Sequence, residues 1–217
     1  MGTPPGDGRS TIPAMGAITS ADALRGIYRS PGDLVLRKQL DHVDAHSRRV
    51  IELSPFVVMA TSGLDGMADA TPRGGEPGFV HVPDEHTVLI PDRPGNNRLD
   101  ALENLLVTPE VGLLFLVPGV DETLRINGSV EIRDDDDLRA GFDVGGRLPA
   151  TVLRVSVREV YLHCAKALMR SRLWDPEAQI DRSALPSLGQ MLRDQIGDEV
   201  TPEPQEAMAD RYRKQLY

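Results

Sequence analysis

The chain has 217 residues, a net charge of −9, a pI near 5.0 and 4% aromatic residues. That length suits one domain with tails and a sizeable core, and the acidic balance argues against non-specific nucleic-acid binding, which needs a basic face to replace phosphate counterions. A single cysteine, Cys164, excludes an internal disulfide framework and fits a reducing cytosol, while no apolar run approaches the ~20 residues of a membrane span and no export signal is read at the N-terminus, so a cytoplasmic protein is expected.

In chain order, residues 1–20 are rich in Gly, Pro, Ser and Thr without a period, which predicts a mobile tail. From residue 21 the pattern is helical: ADALRGIYR, a break at Pro31-Gly32, then a longer segment with Leu36, Leu40 and Val43 at near-helical spacing. That segment carries His42, Asp44 and His46. Two histidines four apart with a neighbouring carboxylate can hold a metal, but no third ligand and no glutamate base follow, and DHVDAHSRR reads better as a solvated helix face.

Beyond Ser54 the texture becomes β. PFVVMATS is an apolar strand, Leu64-Asp65-Gly66 a tight turn, and MADATPR its returning partner. GGEPG makes a flexible loop, and GFVHV and TVLIP form a strand pair around Pro83-Asp84-Glu85. In LIPDRPGNNRLDAL a strand ends in a proline-bounded loop that opens into a helix starting at Arg98, with Leu99, Leu102, Leu105 and Leu106 on one stripe, stopping at Thr108-Pro109. VGLLFLV is a buried strand, TLRINGSVEI alternates around Asn127-Gly128, and Asp134 to Asp137 cap a short exposed helix. TVLRVSVREVYLHC is the last strand. A basic segment ending at Trp174 follows, then an acidic tail with one short helix marked by Leu185, Leu188, Leu192 and Ile196. About seven short strands with one inserted helix favour a closed or sandwiched antiparallel sheet. No GxGxxG, Walker or GxSxG motif occurs.

The strand-to-helix junction has the makings of an anion site. Asn96 or Asn97 can cap the helix, its first-turn N–H groups then point into the loop, and Arg98 adds a guanidinium, a set that suits a phosphate dianion. TPRGG puts Arg73 at a strand end beside glycines that permit close approach. If the two strand ends are neighbours, both guanidiniums meet one phosphate.

FVVMATSGLDGMADATPRGG, LIPDRPGNNRLDALENLLVTPEVGLLFLVPG, ETLRING and HCAKALMRSRLW together resemble the pyridoxamine-phosphate-oxidase-related flavoproteins, and more narrowly the probable FMN-dependent enzymes of that split-barrel superfamily, over residues 36–176. The resemblance implies a mainly β fold, a split antiparallel barrel with flanking helices, in residues 21–176, followed by a helical tail at 177–217. It also implies a homodimer with FMN in a cleft between protomers and a small-molecule substrate. By that resemblance Arg73 and Arg98 hold the FMN phosphate, with Asn96 and Asn97 contributing, and Thr71 and Pro91 pass beside the flavin. Thr123 falls where the oxidase proper turns an amide toward the ring, and Arg170, Arg172 and Trp174 match a region that reaches the cofactor across the dimer interface.

The chain also departs from the oxidase. The loop reads Asn-Asn-Arg where the oxidase has a basic cluster, and the nearest histidine to the terminal segment is His163 rather than part of an arginine-histidine pair, so pyridoxamine phosphate is not the expected substrate. Because flavin N5 carries the hydride, no protein nucleophile is demanded. Lys166 or Arg172 could stabilise the reduced ring, whereas His163 and Cys164 read as strand-end packing residues. Trp174 serves either dimer packing or flavin stacking. The implied activity is an FMN-dependent oxidoreductase acting on a small substrate or NAD(P)H. The same phosphate-site residues also fit an F420- or haem-binding barrel, or a dimer that binds flavin without turnover.

Overall fold

A computed structural model describes residues 16–197, 199 and 201–216; most of the tail expected at residues 1–20 lies outside the described residues. The chain divides into two compact units, residues 1–37 and residues 38–217. In the first, α1 (Ala21–Ile27) starts under a cap in which Ser20 Oγ accepts from Ala23 N at 3.2 Å, and α2 (Asp33–Arg37) follows the Pro31-Gly32 break. Neither helix buries a residue.

The second unit opens with a correction. The apolar spacing through Leu40 and Val43 predicts a continuing helix, yet Leu40 forms an antiparallel bridge with Val160, and Val43 N donates to Glu85 O at 2.8 Å. Here backbone groups find partners in the sheet rather than four residues back along the chain. Helix α3 is therefore confined to Ala45–Leu53, with Asp44 Oδ1 accepting from Ser47 N at 2.8 Å. His42 lies outside that helix, so the four-residue spacing to His46 no longer places both on one face. Among the described residues no cluster of three potential metal ligands forms.

Seven antiparallel strands follow: β1 (Phe56–Ser62), β2 (Ala68–Gly74), β3 (His81–Asp84), β4 (Thr87–Asp92), β5 (Glu110–Leu116), β6 (Thr123–Arg133) and β7 (Thr151–His163). Their hydrogen-bonded order is β2-β1-β5-β6-β7-β4-β3. This is a split barrel: the sheet surrounds a core but is not closed by hydrogen bonds between its end strands. Alternation decides the inner face. Val57 and Met59, Leu113 and Phe115, Leu124 and Ile126, and Val155 are all almost fully buried, with Val88 and Ile90 from β4. Each such side chain contributes roughly 1.5–3 kcal/mol by leaving water. A smaller cluster of Leu89, Phe142 and Val152 fills the opposite face of β4.

Helix α4 (Asp100–Val107) is the inserted helix. Its buried face is Ala101 and Leu105, with Leu102 half-buried. Leu99 and Leu106, placed on the buried stripe by spacing, are 48% and 73% exposed. Strand β6 runs straight through Asn127-Gly128, where its register against β7 shifts by a bulge. A Cβ on Gly128 would collide with the Ser156 carbonyl oxygen, so only glycine fits there.

The acidic run yields α5 (Asp136–Ala140), flanked by Asp135 without a side-chain cap bond. After β7 come α6 (Lys166–Ser171), α7 (Leu188–Ile196) and α8 (Gln205–Arg213). Where one terminal helix is predicted there are two, since QEAMADRYR lacks a strong apolar stripe. No helix among the described residues is long and apolar enough to cross a membrane.

Candidate functional site

Where the ends of β2 and β4 face each other across the open side of the sheet, they enclose a cleft of about 870 Å³. The loop between β2 and β3, the loop from Arg93 to Leu99, the start of α4 and the residues after α5 complete its walls. Six of the ten residues singled out from sequence line it: Thr71, Arg73, Pro91, Asn96, Asn97 and Arg98. Two stretches about twenty residues apart in the chain thus meet in one place.

Arg73 is half-buried and fully engaged. Its Nε donates to Asp92 Oδ1 at 3.0 Å, and its NH1 to Thr71 Oγ1 and to the Pro72 carbonyl, both at 2.9 Å. The Arg73 and Asp92 side chains are 19% and 15% exposed, so this ion pair is only partly screened by water. Arg98 is similarly matched, its Nε donating to Asp100 Oδ2 at 2.9 Å, but both of these side chains stand well out in solvent. Arg93 reaches the other wall, donating to the Phe142 carbonyl at 2.7 Å and the Arg147 carbonyl at 3.2 Å.

The helix cap differs from expectation. Helix α4 begins at Asp100, two residues after Arg98, and Leu99 flanks it with no side-chain cap bond. Asn96 instead turns back within the loop, its Oδ1 accepting from Arg98 N at 3.0 Å, and Asn97 takes a left-handed conformation with φ 57°. The chain leaving Pro94-Gly95 must reverse before it can enter a helix, and the two asparagines are consumed by that reversal. The first turn of α4 carries Asp100 and Glu103, which suit the helix dipole but oppose an incoming anion.

Asn104 fixes the helix relative to β2. Its Nδ2 donates to Asp69 Oδ2 at 2.6 Å and to Thr61 Oγ1 at 3.2 Å.

Thr123, Arg170, Arg172 and Trp174 do not line this cleft. Thr123 is buried and pairs with His163 at the far end of β6. Arg172, left-handed at φ 52°, ends α6 and pairs with Asp175 at 2.6 Å. Trp174 Nε1 donates to the Val120 carbonyl at 2.9 Å. Beside them Tyr161 lies 4.3 Å beneath Lys38 Nζ and 5.1 Å from the Arg125 guanidinium. Burial and those two cations hold the His163 imidazole below its ordinary pKa. Cys164 is free and exposed.

Among the cleft residues that sequence reasoning did not single out are Asp92, Asp100, His81 and Phe142. The two carboxylates sit inside the very motif that drew attention to the arginines, and pairing charges along it would have found them. His81 stacks on Phe142 with ring centroids 4.1 Å apart and planes at 19°, a contact between residues sixty positions apart that no local pattern reveals.

A family model for pyridoxamine 5'-phosphate oxidase matches residues 43–164. No curated protein matches the chain. Among solved structures, HupZ of Group A Streptococcus is similar at 13% identity, with 55% of this chain and 93% of that one covered and a TM-score of 0.45. General Stress Protein 26 of Bacillus anthracis is 12% identical over 52% of this chain and 88% of its own, TM-score 0.41. An FMN-binding protein of Syntrophomonas wolfei is 10% identical over 54% and 83%, TM-score 0.42.

Proposed function

The chain belongs to the pyridoxamine 5'-phosphate oxidase family, and on that premise we propose that it is a cytoplasmic, homodimeric FMN-dependent oxidoreductase acting on a small organic substrate or a nicotinamide nucleotide. The observation that carries this reading is the shared cleft: Thr71, Arg73, Pro91, Asn96, Asn97 and Arg98 line one concavity of about 870 Å³, within the range of cofactor pockets.

The residues present fit the phosphate end of FMN. Arg73 and Arg98 offer two guanidinium forks, Thr71 a hydroxyl already oriented by Arg73, and the left-handed Asn97 a turned backbone beside them. Binding exchanges Asp92 and Asp100 for phosphate oxygens as partners of the two arginines. Pro91, with no N–H of its own, presents a flat edge beside the ring. Arg170, Arg172 and Trp174, which lie away from the cleft of their own protomer, complete the site of a second copy, whereas Thr123, buried at the start of β6, is left without a cofactor contact in this arrangement. Lys166 or Arg172 then supports the electron-rich ring. When bound, flavin supplies the hydride-accepting and hydride-delivering centre, so the chain's own task is to bind, orient and exclude water.

The test is an absorption titration of purified protein with FMN, comparing wild type with an Arg73→Ala, Arg98→Ala double variant. Each lost charge-assisted partner weakens binding by roughly 1.5–3 kcal/mol, about tenfold or more. A wild type that ignores FMN would sink the reading and return the cleft to F420 or haem. A protein that binds FMN yet is neither reduced by NAD(P)H nor reoxidised would be a flavin binder rather than an enzyme.

A further inference from the structure

The cleft also holds residues that the phosphate site does not use. There His81 at the start of β3 lies flat against Phe142, ring centroids 4.1 Å apart and planes at 19°. Phe142 is 5% exposed and packs on Leu89, Val152 and Leu138. Its carbonyl accepts from Arg93 at 2.7 Å, and its own N–H donates to Arg139 O at 3.0 Å. The lower ring is thus fixed by packing and by backbone bonds on both sides.

His81 is exposed, and it reaches solvent through the cleft it lines. Among the described residues its ring nitrogens make no hydrogen bond. Partial desolvation lowers its pKa, which favours the uncharged imidazole. Phe79 and Val144 add apolar surface to the cleft. A flat, uncharged, immobilised surface with one open polar edge suits a particular ligand: a planar ring that stacks and carries a heteroatom within reach of the imidazole. Anionic ligands fit poorly, because Asp143 and Glu76 also line the cleft and oppose a negative charge.

We propose that the His81–Phe142 shelf is a substrate subsite, which takes a planar aromatic ring bearing a hydrogen-bonding heteroatom and no negative charge. That it holds substrate rather than cofactor rests on the flavin reading of the Arg73 end; that it holds a planar ring does not. His81 is the recognition residue, in contact with the ring, and Phe142 positions it from beneath.

The probe is 2-naphthol, uncharged at neutral pH and without a phosphate. In a titration of the full chain followed by NMR, the His81 ring protons, assigned by their loss in His81→Leu, shift saturably. His81→Leu and Phe142→Leu each weaken binding at least tenfold. His81→Leu keeps its bulk at an exposed position, and circular dichroism confirms its fold should Phe142→Leu disturb the smaller core. The same titration in saturating FMN still gives binding, because the two ligands use different residues. Affinity for 2-naphthol unchanged in His81→Leu would overturn the proposal. So would competition in which FMN displaces 2-naphthol, since the shelf would then hold the flavin's own ring. Saturable, His81-dependent binding by a protein that ignores FMN would leave the shelf standing and remove the flavin reading alone.

Discussion

The guanidinium of Arg73 on β2 meets the carboxylate of Asp92 on β4 at 3.0 Å, although β1, β5, β6 and β7 all stand between those strands in the hydrogen-bonded order. The pair spans the side of the barrel that the backbone leaves open. It couples two properties: it tethers an end strand to the far side of the sheet, and it places a negative charge beside the cation proposed to hold phosphate.

Replacing Asp92 with Asn separates those two roles. Asparagine keeps the shape and an acceptor for Arg73 but removes the competing charge. Affinity for FMN or inorganic phosphate is expected to rise about threefold to tenfold, while stability to urea falls by about 1 kcal/mol as a charge-assisted bond becomes a neutral one. Isothermal titration and urea denaturation measure the two effects. A phosphate affinity indifferent to the change would mean that the anion does not exchange with Asp92.

The bulge in β6 predicts opposite outcomes at two glycines. A methyl group on Gly128 would press on the Ser156 backbone, which cannot move without breaking the β6–β7 ladder, whereas one on Gly112 meets Asn127 Oδ1 at 3.5 Å and the Ala60 Cβ at 3.8 Å, ordinary contacts. Gly128→Ala is expected to cost about 2–4 kcal/mol and Gly112→Ala under 1 kcal/mol in urea denaturation. Equal costs would argue against the bulge as drawn.

The histidines divide in sign. His42 Nδ1 lies 2.9 Å from Asp41 Oδ1, a bond to the carboxylate that raises its pKa above 6.5, while burial lowers those of His81 and His163 below it. For His81 and His163 the unfolded chain binds the proton more readily than the native one. Their contribution to stability is therefore present above pH 6.5 and declines as pH falls from there toward their folded values. For His42 the contribution is present below pH 6.5 and is lost as pH rises through its folded value. Histidine NMR titration reads the order directly, with Asp41→Asn returning His42 toward its ordinary value. A His81 that titrates above His42 would contradict the structure.

Much of the fold was legible locally. Apolar runs in FVVMATS and VGLLFLV and alternation in MADATPR and TLRINGSVEI, punctuated by Asp65-Gly66 and Pro118-Gly119, place the seven strands within a residue or two at most boundaries, because a strand with a buried face selects such residues whatever it pairs with. The antiparallel sheet and the inserted helix follow from the same pattern. Errors arose where local signals compete with distant partners. Leu40 and Val43 carry a helical spacing but bond to Val160 and Glu85. Asn96, an adequate helix cap, is taken by the loop reversal before it.

By itself, then, the sequence determined what each segment is: the pleat period, the turn residues and the charged loop are all properties of neighbours along the chain. Only the tertiary structure decided which segments meet. That Arg73 and Arg98 share a cleft, that each arrives already paired with a carboxylate, and that His81 lies on Phe142 depend on the curvature of a seven-stranded sheet. Small twists summed over successive strands bring β2 and β4 face to face, a geometry no short stretch of residues encodes.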